Sequence, residues 1–188
     1  MANQRVVDFV FKKKANPSLF QTLSVALLCL VFFAGCVSTL KVTKKIVPSK
    51  ETRSVDGRYV DHGNGTITDT NNGLMWTKED SYASSGNCLN WNNSNSYVTG
   101  LNSGGHKDWR LPTVKELKTL FDKSKSNRDF QGNIIHHDPL FASGGAYGYW
   151  SSVTDESWGA RYMFFGNGRV FTYPRNYCIT MGVRAVRK

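Results

Sequence analysis

Residues that could perform chemistry are few in this 188-residue chain, and their positions favour structural roles. The four histidines lie in glycine-rich or loop-like segments, and His136 and His137 are adjacent. Neighbouring side chains on an extended segment point in opposite directions, so this pair is poorly placed to bind one metal ion. There is no phosphate-binding glycine loop, and the carboxylates fall in turns or helix caps. We therefore predict that the protein is not an enzyme and uses no metal or other cofactor.

Three residues near the start of the predicted domain carry oxygen atoms of the kind that calcium prefers: Asp61, Asn64 and Asp69. An EF-hand loop places such ligands at alternate positions around a glycine, and these residues do not have that spacing. Asp and Asn are also the usual residues of tight hairpin turns, where Asn-Gly supplies positive φ angles. We therefore expect turns here rather than a calcium site.

The N-terminal residues predict export from the cytoplasm. Arg5 and the lysines at 12–14 precede an apolar run at residues 25–34. A run of about ten residues is too short to span a bilayer, which needs about 20, and it is typical of a signal peptide. Residues 33–36, FAGC, resemble the lipobox of bacterial lipoproteins, in which the cysteine, here Cys36, receives the lipid. Ordinary signal cleavage, with an unmodified Cys36, is the alternative.

These features predict a lipoprotein signal peptide at residues 1–35, a lipidated cysteine with a basic tether at 36–55, and a folded domain at 56–188. Val37, rather than Asp, follows the cysteine, and by resemblance to sorting in enteric-type bacteria this implies the outer membrane. The whole chain has a formal charge of +10, but the domain contains 15 Lys and Arg against 12 Asp and Glu. Because much of the excess charge precedes the domain of an exported protein, we expect no nucleic-acid partner.

Two cysteines, Cys88 and Cys178, belong to the predicted domain. In an oxidising compartment an even pair favours a disulfide, although two free thiols or a nucleophilic cysteine are alternatives. No CxxC motif is present. A bridge between them would close a loop of about 90 residues and would stabilise the fold by roughly 4 to 5 kcal/mol in the chain-entropy description.

The segment DWRLPTVKEL predicts the start of an amphipathic helix. Thr113 and Glu116 have the spacing of a capping box, and Pro112 cannot extend the helix backwards. The apolar residues that follow recur at helical spacing, which predicts a helix over residues 114–123. Glu116 therefore has a structural explanation that weakens any catalytic one.

Other patterns surround this helix. An earlier helix is predicted from Asn90, because apolar residues recur at helical spacing after this candidate N-cap. Asn-Gly pairs before it predict a three-strand meander, and the GNG sequence at 166–168 predicts a late hairpin. A last strand is predicted at residues 181–186.

The order of these motifs resembles the C-terminal domain of the Lcl-type collagen-like adhesins. The matching segments are DHGNGTITDTNNGLMW, LNSGGHKDWRLPTVKEL, YWSS, FFGNG and GVRAVR. The resemblance implies an α+β fold similar to C-type lectins, with two helices packed on small antiparallel sheets and paired chain ends. The residue triplets that hold calcium and sugar in calcium-dependent lectins are absent, so that mode of binding is not implied.

The resemblance also assigns structural roles within the DWR segment. It implies that Trp109 packs in the core, whereas Asp108 and Arg110 tie loop backbone and neighbouring strands together. A buried arginine is tolerated only when it is paired and hydrogen-bonded, and we expect Arg110 to be such a residue.

Lcl adhesins are associated with sulfated glycosaminoglycans, so the resemblance implies a binding module. We predict a lipid-anchored adhesion module of the cell envelope that recognises a glycan, for which a sulfated chain is one candidate, or a protein. The cations that could attract a sulfated chain, in a salt-sensitive manner, are Lys115, Lys118, Lys123, Lys125, Arg128, Arg161, Arg169 and Arg175. Ordinary solvated charge is the other explanation for them.

The alternative function is a structural or assembly component of the envelope that docks to a protein partner. Aromatic residues exposed on loops would favour it, and the candidates in the sequence are Tyr147, Tyr149, Phe164 and Tyr173.

Overall fold

The computed structural model describes residues 50–155 and 158–188. The predicted signal peptide, Cys36 and the tether up to residue 49 lie outside the described residues. The described part has an α+β fold with three α-helices and three β-sheets. None of these helices is long and apolar enough to cross a bilayer.

The first sheet has five antiparallel strands and includes both ends of the described chain. In spatial order they are β1 (Thr52–Arg53), β2 (Tyr59–Asp61), β3 (Thr66–Asp69), β4 (Leu74–Thr77) and β11 (Val186–Arg187). The predicted meander is β2 to β4. Regular structure begins at β1, ahead of the predicted domain start at residue 56. Because β11 pairs with β4 rather than β1, the chain ends share a sheet without pairing directly.

Side-chain oxygens of this sheet accept backbone hydrogen bonds in its turns and form ion pairs. The carboxylate of Asp61 accepts from the amide of Gly63 at 2.8 Å and pairs with the ammonium group of Lys78 at 2.7 Å. The carboxylate of Asp69 pairs with the guanidinium of Arg58 at 2.6 Å. Two of the oxygen ligands considered for calcium are therefore used in turns and ion pairs. In the described residues, no group of three His, Cys, Asp or Glu side chains is placed to hold a metal ion.

The second sheet lies at the centre of the domain. In spatial order its strands are β10 (Met181–Gly182), β7 (Gly148–Asp155), β8 (Gly159–Phe164) and β9 (Val170–Pro174). The predicted late hairpin is β8 and β9. The β10 strand runs parallel to β7, whereas the other pairs are antiparallel. The single strand predicted at 181–186 is instead divided between β10 and β11, which belong to different sheets.

Three helices and a small sheet complete the fold: α1 (Ser81–Ser85), α2 (Trp91–Gly100), α3 (Val114–Leu120), β5 (Asn127–Arg128) and β6 (Ile134–Ile135). The predicted helices are α2, capped by Asn90, and α3. The α1 helix was not predicted; it is a single turn capped by Asp80. The α3 helix ends before residue 123, because Phe121 is extended and the amide of Asp122 donates to the carbonyl of His136.

Two apolar clusters pack on opposite faces of the second sheet. Tyr149 and Met163 belong to the first cluster, and Trp150 and Tyr162 to the second. Neighbouring residues of one strand alternate between the clusters, as the two-residue period of a strand requires. Trp109 lies in the second cluster, 4% exposed, which confirms its predicted place in the core.

The structure corrects the prediction that Arg110 is a buried arginine. Its side chain is 45% exposed, and its guanidinium forms two hydrogen bonds with the carboxylate of Glu116, at 2.6 and 2.9 Å. Among the described residues, the arginine that is fully buried is Arg184. No sequence pattern in the GVRAVR segment indicates that Arg184 is buried.

Arg184 links several parts of the core. Its guanidinium lies over the rings of Phe141 and Tyr149, at 4.7 and 5.1 Å from their centroids. It pairs with the buried carboxylate of Asp80 at 3.3 Å and also donates to the backbone carbonyl of Thr77. The buried charge is therefore paired and hydrogen-bonded through its terminal nitrogens, whereas the Nε atom has no hydrogen-bond partner among the described residues.

Candidate functional site

The candidate site is a cleft of about 420 Å³ beside the β8–β9 hairpin. Small-molecule sites usually occupy about 300 to 1,000 Å³, so this cleft has a suitable size. One wall is aromatic and the other is formed by the loop between β5 and β6. Its lining consists of Asp129, Gln131, Asn133, Ile134, Ile135, Tyr147, Tyr162, Phe164, Asn167 and Phe171. We call it the aromatic cleft.

The aromatic wall is set by strand register and by edge-to-face packing. Tyr162 on β8 and Phe171 on β9 are cross-strand partners, and their rings are stacked with centroids 5.6 Å apart. Tyr147 and Phe164 meet at 88°, with centroids 5.0 Å apart. Phe171 is 38% exposed, whereas Tyr162 below it is buried. The wall therefore presents an apolar ring that is held in place by its neighbours.

The opposite wall is a polar loop organised by Asp129. The buried carboxylate of Asp129 accepts from the amides of Gln131 and Asn133 at 2.9 and 2.8 Å. It also accepts from the side-chain amide of Asn133 at 3.0 Å. Gly132 has a φ of 83°, which allows the tight turn. Arg128 further braces the loop by donating to the carbonyl of Gly132 at 2.7 Å.

The chemical groups of the cleft suit the binding of a neutral polar molecule. Gln131, Asn133 and Asn167 carry amides that both donate and accept hydrogen bonds. Burial raises the pKa of Tyr162 to about 12 and also raises the pKa of Tyr147. Both phenols therefore stay protonated at neutral pH.

The eight predicted cations do not gather around the cleft. All of them are among the described residues, and none lines it. Lys115, Lys118 and Lys123 are exposed on or just after α3, and they make no ion pair within the part of the chain that the structure describes. Arg169 is also exposed and follows the hairpin turn, where Gly168 packs against the ring of Phe121 at the end of α3. The structure thus brings Arg169 to the end of the helix that carries two of these lysines.

Three other predicted cations have partners within the domain. Lys125 pairs with the carboxylates of Asp56 and Asp138 at 2.7 and 3.2 Å. Arg161 pairs with Asp155 at 3.3 Å. Arg175 donates to the carbonyl of Gly159 at 3.1 Å and lies over the ring of Trp91. A sulfated ligand at these positions would have to compete with contacts already present.

The predicted structural motif joins α3 to the first sheet. Asp108 pairs with Arg187 of β11 at 2.7 Å, which lowers the pKa of the Asp108 carboxyl. The indole of Trp109 donates to the carbonyl of Ser103 at 3.2 Å, and the backbone of Arg110 bridges to Val186.

The helix end of the motif carries the predicted capping box. The amide of Glu116 donates to the hydroxyl of Thr113 at 3.2 Å, and the carboxylate of Glu116 accepts from the amide of Thr113 at 2.7 Å. The carbonyl of Pro112 accepts from the amide of Ser152 on β7 at 2.7 Å. The hydrogen bonds with Arg110 lower the pKa of Glu116. Each of these groups has a structural partner in the fold.

The predicted disulfide between Cys88 and Cys178 is present, with a Cα–Cα distance of 5.9 Å. It joins the segment between α1 and α2 to the segment between β9 and β10. Both cysteines are therefore accounted for by a structural bond.

No sequence pattern predicts the aromatic cleft. Asp129, Gln131 and Asn133 alternate around a glycine in the sequence, but this spacing alone does not indicate a cleft. Two of the aromatic candidates for docking, Tyr147 and Phe164, line the cleft, whereas Tyr149 is fully buried. The part of the sequence that could have indicated the cleft is the β8–β9 hairpin, because aromatic residues occur on both of its strands. The sequence pattern does not give the distances between their rings.

The comparisons with known proteins agree with the motif order found in the sequence. The family described as the Lcl C-terminal domain matches residues 65–187, which is more than half of the chain. No curated protein matches the chain significantly. The matched region extends from the meander to β11 and includes every residue that lines the aromatic cleft. The chain therefore belongs to the Lcl C-terminal domain family.

Proposed function

We propose that this protein is a lipid-anchored adhesion module of the cell envelope that binds a glycan in the aromatic cleft and performs no catalysis. The family match supports an adhesin-related module. The lining of the cleft is the observation that carries the glycan proposal. A sugar ring has an apolar face that packs on an aromatic ring, and it has hydroxyls that exchange hydrogen bonds with amides.

The proposal includes a likeness to the C-type-lectin fold. The α+β architecture and the presence of β1 and β11 in one sheet support this likeness. The absence of a catalytic role is supported by the cleft carboxylate, since Asp129 is already engaged in the hydrogen bonds of its own loop.

A glycan array with the full chain, purified from membranes in detergent, tests the proposal. We expect binding to at least one glycan, and replacement of Phe171 by Ala should weaken it by at least about ten-fold, because the exposed ring of the wall is lost. Tyr177→Ala is a matched control, since Tyr177 is 40% exposed and lies outside the cleft lining. Failure of the wild-type protein to bind any glycan, or equal losses in the two variants, would contradict the proposal.

The anchor is a separate part of the proposal and is supported by the FAGC sequence. We propose that Cys36 carries the lipid and that the protein resides in the outer membrane. Intact-mass analysis of the membrane-extracted protein should show a new N-terminus at Cys36 with added acyl chains. Recovery of an unmodified cysteine would contradict this part while leaving the glycan site open to its own test.

Docking to an envelope protein is the second candidate function. The large apolar side chains of Trp158, Tyr177 and Ile179 are exposed by 52%, 40% and 46%, and such groups are common in protein interfaces. Crosslinking in intact cells distinguishes the two functions. A specific crosslinked partner that is lost on Trp158→Ala, together with an empty glycan array, would favour docking.

A further inference from the structure

The residues that line the aromatic cleft indicate the charge of its ligand. We infer that the cleft accepts an uncharged sugar residue and discriminates against a sulfated or carboxylated one at the same position. This inference rests on the proposed glycan function and specifies its ligand class. It differs from the expectation drawn from family resemblance, in which cations attract a sulfated chain.

The charge of the lining favours an uncharged ligand. The charged side chain among the lining residues is a carboxylate, Asp129, and no Lys or Arg belongs to this set. The guanidinium of the neighbouring Arg128 donates to the carbonyl of Gly132 at 2.7 Å. An anion that enters the cleft would lose hydration beside aromatic rings without gaining a paired cation, and such a transfer is costly.

The balance of hydrogen-bond donors and acceptors in the cleft favours hydroxyl groups on the ligand. The side-chain nitrogen of Asn133 donates to Asp129, which leaves the Asn133 oxygen to accept from the ligand. The side-chain oxygen of Asn167 accepts from the amide of Arg169 at 3.0 Å, which leaves its nitrogen to donate. A hydroxyl donates and accepts, so it can satisfy both kinds of group, whereas a sulfate oxygen only accepts.

The shape of the aromatic wall also fits a sugar ring. Tyr162 and Phe171 are stacked with an interplanar angle of 26°, so Phe171 forms a supported flat surface. Tyr147 and Phe164 stand at 88° to each other and form a corner beside it. A flat apolar surface next to polar amides matches a pyranose ring, which has C–H groups on one face and hydroxyls at its edge.

Arg169 is the residue that most directly opposes this inference. It is exposed, and its backbone amide is bonded to Asn167 of the cleft lining. If the ligand in the cleft were anionic, this guanidinium would be a candidate partner, because it lies two residues from Asn167 and makes no ion pair among the described residues. Removal of its charge therefore separates the two ligand classes.

The experiment uses the full chain in detergent and pairs of oligosaccharides that differ only in sulfation. The probes are tetrasaccharides of glucose, galactose, mannose and N-acetylglucosamine, each compared with its chemically 6-O-sulfated form by titration calorimetry. We expect at least one unsulfated form to bind about ten-fold or more tightly than its sulfated counterpart. Its affinity should change less than about two-fold between 0.05 and 0.5 M NaCl, because screening acts on charges.

Three variants complete the test. Phe171→Ala and Gln131→Ala should weaken binding of the unsulfated sugar, by at least about ten-fold and about three-fold respectively, whereas Arg169→Gln should leave it within about two-fold. Both cleft variants alter exposed positions, so circular dichroism should show an intact fold. Gln131→Ala supplies the cleft readout if Phe171→Ala is not folded.

The outcomes also separate this inference from the proposed function. Tighter binding of the sulfated forms, lost with salt and with Arg169→Gln, would overturn the uncharged ligand and leave the glycan function standing. Absence of binding to all eight probes, together with an empty glycan array, would overturn both.

Discussion

Acidification tests the buried core around His137. This side chain is 1% exposed, and its ring packs edge-to-face against Phe141 and Phe165. Its Nδ1 atom lies 3.1 Å from the carbonyl oxygen of Asp138, whereas its Nε2 atom has no partner among the described residues. Burial, with a smaller contribution from the charge of Arg184, lowers the pKa of His137 to about 3.

The sign of the effect follows from this lowered pKa. In the unfolded chain the imidazole titrates near pH 6.5, so on acidification the unfolded state takes up a proton that the folded state does not. The stabilising contribution of the neutral ring is complete above about pH 6.5, and it is lost as the pH falls from there towards the folded pKa. At pH about 5 the expected loss from His137 alone is roughly 2 kcal/mol, a large share of a domain's stability.

Urea unfolding at pH about 7.5 and about 5 measures this loss, with His137→Phe as the test variant. Phenylalanine keeps the ring contacts, and the carbonyl of Asp138 still accepts from the amide of Phe141 at 3.2 Å. On acidification the wild type should lose about 2 kcal/mol more than the variant. Carboxyl groups with lowered pKa, such as Asp56 and Glu116, titrate equally in both proteins and cancel in the difference.

The control is His106→Phe, because His106 is only partly buried and should leave the wild-type response to pH intact. If His137→Phe and the wild type lose the same free energy between the two pH values, the core histidine is not the acid-sensitive group and the argument is wrong.

Two further predictions concern the scaffold. Replacement of both Cys88 and Cys178 by Ser removes a bond between residues that are 90 positions apart in the sequence. It should lower the free energy of unfolding by roughly 4 to 5 kcal/mol in denaturant titrations. A loss under about 1 kcal/mol would show that the disulfide adds little stability. Arg184→Met should cost about 3 to 5 kcal/mol because it leaves the buried Asp80 carboxylate without its charged partner. Arg110→Ala should cost only about 0 to 1 kcal/mol, since the side chain of Arg110 is 45% exposed to solvent. Equal losses for the two arginines would contradict the burial argument.

Features encoded by short stretches of sequence were predictable. The capping box at Thr113 and Glu116 requires only residues three positions apart, and it starts α3 where expected. The glycine and asparagine residues at 166–168 specify a tight connection, and the strands beside it pair in a hairpin. The disulfide was predictable because the domain contains two cysteines and the N-terminal residues predict export to an oxidising compartment.

Features that depend on distant parts of the chain were not predictable in the same way. Arg110 and Arg184 both sit in short segments with apolar neighbours, and their different burial depends on whether Asp80 and two aromatic rings surround them. The aromatic cleft likewise requires the β5–β6 loop to lie beside the β8–β9 hairpin, about 30 residues away in the chain. The local structural propensities of residues do not determine such packing, which depends on tertiary contacts.

The distribution of charge explains why ligand attraction and ligand selection need not use the same residues. Carboxylates that pair with cations within the fold remove those cations from ligand binding, as Lys125 with Asp56 and Arg161 with Asp155 illustrate. Lys115, Lys118 and Lys123 remain exposed on and after α3, where the turn preceding Arg169 also packs. A polyanion could be attracted to this region over about one Debye length, and that attraction should fall with salt. Contacts inside the aromatic cleft act at van der Waals and hydrogen-bond distance, and they should persist at high salt. For a long polysaccharide, association would therefore follow the helix cations, whereas the choice between sugars would follow Phe171 and the amides opposite it.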